Sequence, residues 1–286
     1  MTLIALVDGG GTKTRVRFLN QSDQSMRSEV VTGPSNLGLG ASACWSEIQR
    51  AIELAGVSNP VQCIAGMAGS EYVKERTQFL QQAPFPTILV SDRDSGLFGA
   101  HQGDAGGCLT VGTGVALAWI DEARMLSRRG GFGFVLGDQG GGAWIGWRLL
   151  QQLVQVADRG EIADSHFRLI AELGIGSSVG EWMQFANQAG PKAFASLARP
   201  VVESEHFSAL SRQILDEGLQ ALVSLLQDFP KQLPLALVGG LANVYGPRLI
   251  DEGYSVRAPK GDALDGLSYI DHHLDQLTVE YWTSHD

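Results

Sequence analysis

No stretch of this 286-residue chain is long and apolar enough to span a membrane, although 44% of its residues are hydrophobic. Positive charge is scarce: 21 lysines and arginines stand against 31 acidic residues, a formal charge of −10. Binding nucleic acid or an anionic membrane surface through bulk electrostatics needs the opposite balance, so neither is expected as a partner. Nucleotides remain admissible, because backbone amides and Mg²⁺ hold them rather than bulk positive charge. Cysteine is sparse too. Cys44, Cys63 and Cys108 lie scattered in apolar patterns without metal-ligand or cluster spacing, and their odd number fits reduced, buried thiols. The adjacent His272 and His273 fall on an expected helix, where neighbours face different directions and cannot share a metal. No basic segment or signal-peptide core precedes the first apolar strand pattern, which predicts a cytoplasmic location.

Glycine, by contrast, is plentiful at 36 residues, and its placement carries the chemistry. Asp8-Gly9-Gly10-Gly11-Thr12-Lys13-Thr14 lies between an apolar run at 3–7 and an alternating run at 15–19. Three glycines let a tight turn present its N–H groups to a phosphate. Asp8 would face the same ligand, where a bound cation makes two negative partners compatible. A Walker A loop has four residues between its first glycine and Gly-Lys-Ser/Thr and opens a helix, as does the dinucleotide fingerprint. Here a strand pattern follows instead. The stretch reads as a β-hairpin phosphate clamp or as a structural glycine-rich turn.

Farther along, residues 29–31 read as a third strand, ahead of the loop Gly33-Pro34-Ser35-Asn36-Leu37-Gly38. Trp45, Ile48, Ile52 and Ala55 mark an amphipathic helix over 42–55, ended by Gly56. A buried strand at 61–65 leads to Gly66-Met67-Ala68-Gly69, then a helix at 71–82 and a strand at 87–90. The succession predicts a mixed α/β fold. Asp92 follows the last of these strands, ahead of a helix over 95–101. Ligands of open α/β sheets sit outside the carboxyl ends of strands, so Asp92 is either a site residue or an N-cap. Asp94 is expected to cap the helix or face solvent.

Residues 108–119 repeat the opening pattern: apolar strand, Gly112-Thr113-Gly114, apolar strand. Two such hairpins, each opening one α/β half, suggest a duplicated fold with a cleft between the halves. Residues 130–142 are dense in glycine around Asp138, which either orients a polar ligand or caps the helix beginning near Ile145. Residues 161–203 are helix-like, and a long helix is expected over 206–229. The buried strand at 235–238 ends in Gly239-Gly240, suited to the close approach of an adenosine or to a tight turn. A strand at 254–257 and a closing helix over 262–277 complete the chain.

Taken in order, these motifs resemble the actin-like ATPase and sugar-kinase superfamily, and within it the N-acetylglucosamine and glucosamine kinases of the BadF/BadG/BcrA/BcrD ATPase family. The resemblance rests on Asp8-Gly-Gly-Gly-Thr-Lys-Thr, Gly33-Pro-Ser-Asn36, Ser91-Asp92-Arg-Asp-Ser-Gly-Leu-Phe-Gly99 and Gly112-Thr-Gly114. It continues through Gly130-Gly-Phe-Gly133 with Gly137-Asp138-Gln-Gly140, Val238-Gly-Gly240 and Asp262-Ala-Leu-Asp265-Gly266. It implies two ribonuclease-H-like domains around a central cleft. One spans 1–104, joined by a terminal helix at 264–286; the other spans 105–263 with a helical insertion. It further implies ATP as co-substrate with Mg²⁺ near Asp8, held by Gly10, Gly11, Thr12 and Lys13 and by Gly112, Thr113 and Gly114. Gly239 and Gly240 match the adenosine turn, Asp92 the catalytic aspartate, and Asn36, Gly131 and Asp138 the sugar contacts. The implied reaction is phosphorylation of the 6-hydroxyl of N-acetylglucosamine or glucosamine, by a protein with room for a homodimeric state. Val115, Phe132, Gln139 and Ser91 stand where the family often carries Ser, Trp, Glu and Asn. A non-catalytic sugar sensor would add a DNA-binding segment, and a dehydratase activator would add paired cluster cysteines.

Overall fold

The apolar run at 3–7 and the alternating run at 15–19 set the first layer. In the computed structural model, which describes residues 2–277 and 280–284, Leu3–Gly9 (β1) and Thr14–Asn20 (β2) pair antiparallel from Leu3↔Asn20 to Gly9↔Thr14. Met26–Thr32 (β3) pairs with β2, and after a 3-10 turn at Leu37–Leu39 comes Ala41–Ala55 (α1). Gly56, at φ 61°, ends α1 in the left-handed region that favours glycine. Gln62–Met67 (β4) runs parallel to β1, followed by Val73–Gln81 (α2), Thr87–Ser91 (β5, parallel to β4) and Asp92–His101 (α3). Ala5, Val7, Val16, Phe18, Cys63 and Met67 belong to one core with Trp45 and Ile48 of α1 and Phe79 of α2. Trp45 stacks on Phe79 with ring centroids 4.5 Å apart and donates its indole N–H to Phe79 O at 2.8 Å. The alternate residues, including Asp8, Arg15, Arg17 and Gly66, therefore lie on the opposite face.

Next come Gly106–Val111 (β6), Val115–Ile120 (β7), Leu126–Gly130 (β8) and Gly142–Asp158 (α4). Helices Asp164–Leu173 (α5), Val179–Gln188 (α6), Pro191–Ser196 (α7), Ala198–Ser204 (α8) and Ala209–Leu225 (α9) follow. Pro234–Val238 (β9), Ala242–Asp251 (α10), Ser255–Arg257 (β10), Ala263–His273 (α11) and Trp282–Thr283 (β11) end the described chain. The fold is α/β, as expected, with two sheets ordered β11-β5-β4-β1-β2-β3 and β10-β9-β6-β7-β8. The chain divides into two compact units: residues 1–108, 118–127 and 258–286, and residues 109–117 and 128–257. In the first unit, α3 and α11 pack on each other and on the β1–β4 face opposite α1. Among the described residues no helix is long and apolar enough to cross a membrane. All three cysteines are buried.

Several elements differ from the sequence reading. Helix α3 starts at Asp92, because Ser91 caps it by accepting Arg93 N–H at 3.3 Å. Asp94 consequently falls in the first turn and is fully buried instead of facing solvent. Strand β8 was not anticipated; its sequence Leu-Ser-Arg-Arg-Gly has no apolar alternation, and all five residues are half-buried. Helix α10 was hidden by Pro247 in its interior. The closing helix stops at His273, after which a 3-10 turn covers Leu274–Gln276 and β11 pairs antiparallel with β5. The part of the expected terminal helix at 278–279 and 285–286 lies outside the described residues.

Candidate functional site

In the first unit, the carboxyl ends of the parallel strands β1, β4 and β5 converge in register, with Asp8 opposite Gly66, Gly9 opposite Met67 and Met67 opposite Ser91. This is where open α/β sheets bind ligands. The β1–β2 turn is closed by Gly10 N–H donating to Lys13 O at 3.1 Å. Gly9 is required by packing, since a Cβ there would meet Met67 Sδ and, at 2.6 Å, Ser35 Oγ. A Cβ at Gly11 would meet nothing within 4 Å, and Gly11, Thr12 and Lys13 are exposed. The neighbouring loop fixes the orientation of the turn. Ala68 N–H donates to Gly9 O at 2.9 Å and Ser35 N–H to Gly10 O at 3.1 Å. C=O and the following N–H point opposite ways in a trans peptide. With Gly10 O turned to Ser35, the Gly11 N–H is presented away from that loop, available to an anion.

Asp8 and Asp92 are half-buried carboxylates at these strand ends. Burial raises the pKa of Asp8, opposed by the Arg15 guanidinium. Asp92 is the first residue of α3; burial, then the nearby Asp8 charge, push it up to about 6. Asp8 lies opposite Gly66 and Gly66 opposite Val90, and Asp92 follows two residues beyond Val90, at the start of α3. A partly desolvated carboxylate such as Asp8, beside an exposed turn of free amides, suits Mg²⁺, which takes one or two protein carboxylates together with phosphate oxygens. Among the described residues no group of three or more His, Cys, Asp or Glu forms an all-protein cage.

Asn36 sits on the loop that braces the turn. Thr14 Oγ1 donates to Gly33 O at 2.6 Å and lies 2.7 Å from Ser35 Oγ, while Gly33 N–H donates to Glu47 Oε2 at 2.7 Å. Asn36 Oδ1 accepts from Gly38 N–H at 2.7 Å, capping the 3-10 turn. This leaves the Asn36 amide N–H₂ as the group that can address a ligand.

In the second unit the expected residues form another cluster. Gly112 N–H closes the β6–β7 turn on Gly114 O at 3.0 Å. Gly142 N–H donates to Gly112 O at 2.8 Å and Ala143 N–H to Thr113 O at 3.0 Å, so the start of α4 takes up the turn's carbonyls. By the same trans-peptide geometry, the N–H groups of Thr113 and Gly114 point away from α4. Asp138, at φ 64°, turns its carboxylate onto this hairpin: Oδ1 accepts Val115 N–H at 3.0 Å, and a Cβ at Gly114 would collide with the carboxyl group. Burial raises its pKa and the Val115 N–H opposes the rise. Asp138, read from sequence as a sugar contact or a cap, thus also buttresses the second turn. Gly131, exposed, donates its N–H to Val115 O at 2.9 Å. Gly239 adopts φ 100°, and a Cβ would lie 2.5 Å from Val111 O, whereas Gly240 is exposed with open space around it. Leu241 N–H donates to Val111 O at 3.0 Å, fastening the glycine pair to the end of β6.

The structure adds residues that the sequence reading left aside. Arg15 and Arg17, alternate residues of β2, share the Asp8 face and pair with Glu29 at 2.8 and 2.9 Å. Two cations at i and i+2 within a buried strand pattern, opposite an acidic residue of the next strand, were the signal available.

Comparison with known proteins accords with this geometry. The model of the BadF/BadG/BcrA/BcrD ATPase family matches residues 7–248. A glucosamine kinase from Vibrio cholerae is 33% identical over 162 residues, which is 53% of this chain and 54% of that protein; the match thus spans about half of the relative. An N-acetylmuramic acid/N-acetylglucosamine kinase from Clostridium acetobutylicum is 26% identical over 271 residues, covering 85% of this chain and 86% of the other. The crystal structure of a candidate N-acetylglucosamine kinase from Chromobacterium violaceum superposes with a TM-score of 0.83 at 27% identity, over 94% of this chain and 99% of that one. With the family model spanning all but the two ends of the sequence, this chain belongs to the BadF/BadG/BcrA/BcrD ATPase family.

Proposed function

We propose that the chain is an ATP-dependent amino-sugar kinase that transfers the γ-phosphoryl group to the 6-hydroxyl of N-acetylglucosamine or glucosamine. The observation that carries this reading is Asp92, a half-buried carboxylate at the carboxyl end of the parallel strands, pushed up to about 6. Such a group is mostly ionised at pH 7 yet basic enough to assist an alcohol. In the proposed step Asp92 accepts the hydroxyl proton as the sugar oxygen bonds to the γ-phosphorus. The bond from that phosphorus to the β–γ bridging oxygen breaks, and ADP leaves. The relatives' names supply the amino-sugar class.

The remaining residues serve placement and charge. Gly10, Gly11, Thr12 and Lys13 are assigned to ATP phosphate, as are Gly112, Thr113 and Gly114. Gly239 and Gly240 are assigned to the adenosine, where the open space at Gly240 admits a flat ring. Asn36, through its amide N–H₂, with Gly131 and Asp138, is assigned to the sugar. Asp8 would hold Mg²⁺, which would supply charge to offset the ATP phosphates. The domain assignment retained with this reading is 1–104 with the terminal segment, and 105–263. The proposed setting is cytoplasmic, with a small-molecule amino sugar as the partner. A coupled ADP-release assay with Mg²⁺ and ATP over a panel of amino sugars and hexoses tests the reading. Sugar-dependent release with N-acetylglucosamine or glucosamine supports it, whereas release indifferent to every sugar removes it.

A further inference from the structure

One cluster of charge in the first unit has no part in the chemistry described so far. Asp262 caps α11, and Asp262 and Asp265 close a reciprocal box: Asp265 N–H donates to Asp262 Oδ1 at 3.1 Å and Asp262 N–H to Asp265 Oδ2 at 2.8 Å. The outer oxygens reach across to β2. Arg15 Nη2 meets Asp262 Oδ2 at 2.5 Å, and Arg17 Nη1 meets Asp265 Oδ1 at 2.6 Å. Glu29 of β3 holds the same two guanidinium groups from the other side. Arg15 and Arg17 are 21% and 16% exposed, against 38% and 41% for Asp262 and Asp265, so the network is desolvated on its arginine side and open to solvent on its carboxylate side. Burial alone would raise the Asp262 pKa, but the bond to Arg15 and the backbone bond to Asp265 bring it below the usual range.

The same end of α11 is locked to the helix that begins with Asp92. A Cβ on Gly266 would fall on Ser95 O and lie 2.5 Å from Gly99 N, and a Cβ on Gly99 would fall on Asp262 O. Lys260 N–H donates to Ala100 O at 2.9 Å. Backbone therefore rests on backbone at the α3–α11 crossing, with no flexible side chain between to absorb a shift. One end of α11 thus grips the strand that follows the first turn through charge, and α3 through close packing.

We propose that Arg15, Arg17, Asp262 and Asp265 are positioning residues that fix the first phosphate turn relative to Asp92, with α11 as the rigid link. This rests on the kinase reading, because the alignment matters only if phosphate and base act on one reaction. A misplacement of about 1 Å is enough to cost up to a hundredfold in rate. Substrate binding, set by each turn and loop separately, changes little.

Asp262→Ser separates the link from the cap, because serine is itself a good N-cap but cannot pair with Arg15. Steady-state kinetics, a thermal melt, calorimetric binding of Mg²⁺ with a non-hydrolysable ATP analogue, and amide hydrogen exchange are measured for Asp262→Ser, Arg15→Met and the double variant. The expected result is kcat down about tenfold or more in each single variant, with no further loss in the double. KM for sugar and analogue affinity should stay within about twofold, with exchange faster at residues 14–20. Arg15→Lys should recover part of kcat. Wild-type kcat in Asp262→Ser, additive losses in the double variant, or a loss that follows the melting temperature alone would each overturn the proposal. Failure of the kinase reading shows separately, as absence of sugar-dependent turnover in the wild type. The link itself is then decided by exchange: unchanged protection at 14–20 in Asp262→Ser refutes it, and faster exchange there upholds it.

Discussion

Asp92 holds its charge against two opposing influences, burial and the Asp8 carboxylate. Its folded pKa of about 6 lies above the ordinary value of 3.8, so the folded chain binds this proton more tightly than the unfolded chain does. Ionised Asp92 therefore weakens the fold above pH 6. The penalty fades as the pH falls through 6 towards 4, where the group becomes protonated in the folded state. Asp92→Asn should accordingly melt higher than wild type at pH 8, with the difference shrinking at pH 5. An Asn variant melting lower at pH 8 would mean that the α3 dipole outweighs desolvation. The same substitution should lower kcat by about two to four orders of magnitude, the usual contribution of a general base. In the wild type, kcat should fall on the acid side with an apparent pKa near 6, because protonated Asp92 cannot accept the sugar proton. An acid limb at pH 4 would assign the base elsewhere. The glycine pair at 239–240 offers a second contrast. Gly239→Ala meets both a left-handed φ and Val111 O, and should destabilise by roughly 2 kcal/mol or more. Gly240→Ala has open space, should leave the melting temperature nearly unchanged, and should raise KM for ATP if adenosine lies over it.

At the scale of elements, the second turn and α4 act as one piece. The first two amides of α4 are satisfied by the turn's carbonyls, and Asp138 closes the turn from its other side. Asp138→Ala removes the acceptor for Val115 N–H and should raise KM for ATP several-fold by loosening the turn. Asp138→Asn, which keeps a carbonyl acceptor, should restore most of that loss while still affecting sugar binding. Titration of both variants with ATP and sugar separately reads the two roles apart. Much of this element structure was legible in the sequence. Both hairpins, α1 with its Gly56 stop, and α4 with Ile145, Leu149 and Leu153 on its buried side stand as the periodicity predicts. What escaped had physical reasons. Helix α3 begins three residues early because Ser91, not Asp92 or Asp94, supplies the cap. Arg15 and Arg17 alternate with apolar residues and find Glu29 on the neighbouring strand, but their partners Asp262 and Asp265 arrive only with the return of α11 some 250 positions later. Asp138 could be read as a ligand contact or a cap, since nothing local in a glycine loop says that it folds back on Val115.

For the whole molecule, the α/β class and the family membership were both within reach of the sequence, because the motifs are spread along most of the chain and occur in order. What needed the tertiary structure is the contact within each grouping, such as Asp138 folded back onto Val115 and Leu241 fastened to Val111. With a charge of −10, the proposed phosphate binding falls to oriented amides at the two turns rather than to a basic surface. The most direct test of the central claim is the phosphorus–proton correlation spectrum of the product formed from N-acetylglucosamine or glucosamine with Mg²⁺ and ATP. The account predicts one new phosphomonoester coupled to the two C6 protons, its formation slowed at least a hundredfold in Asp92→Asn. Phosphorus coupled to the anomeric proton, or inorganic phosphate with no sugar ester, would contradict it.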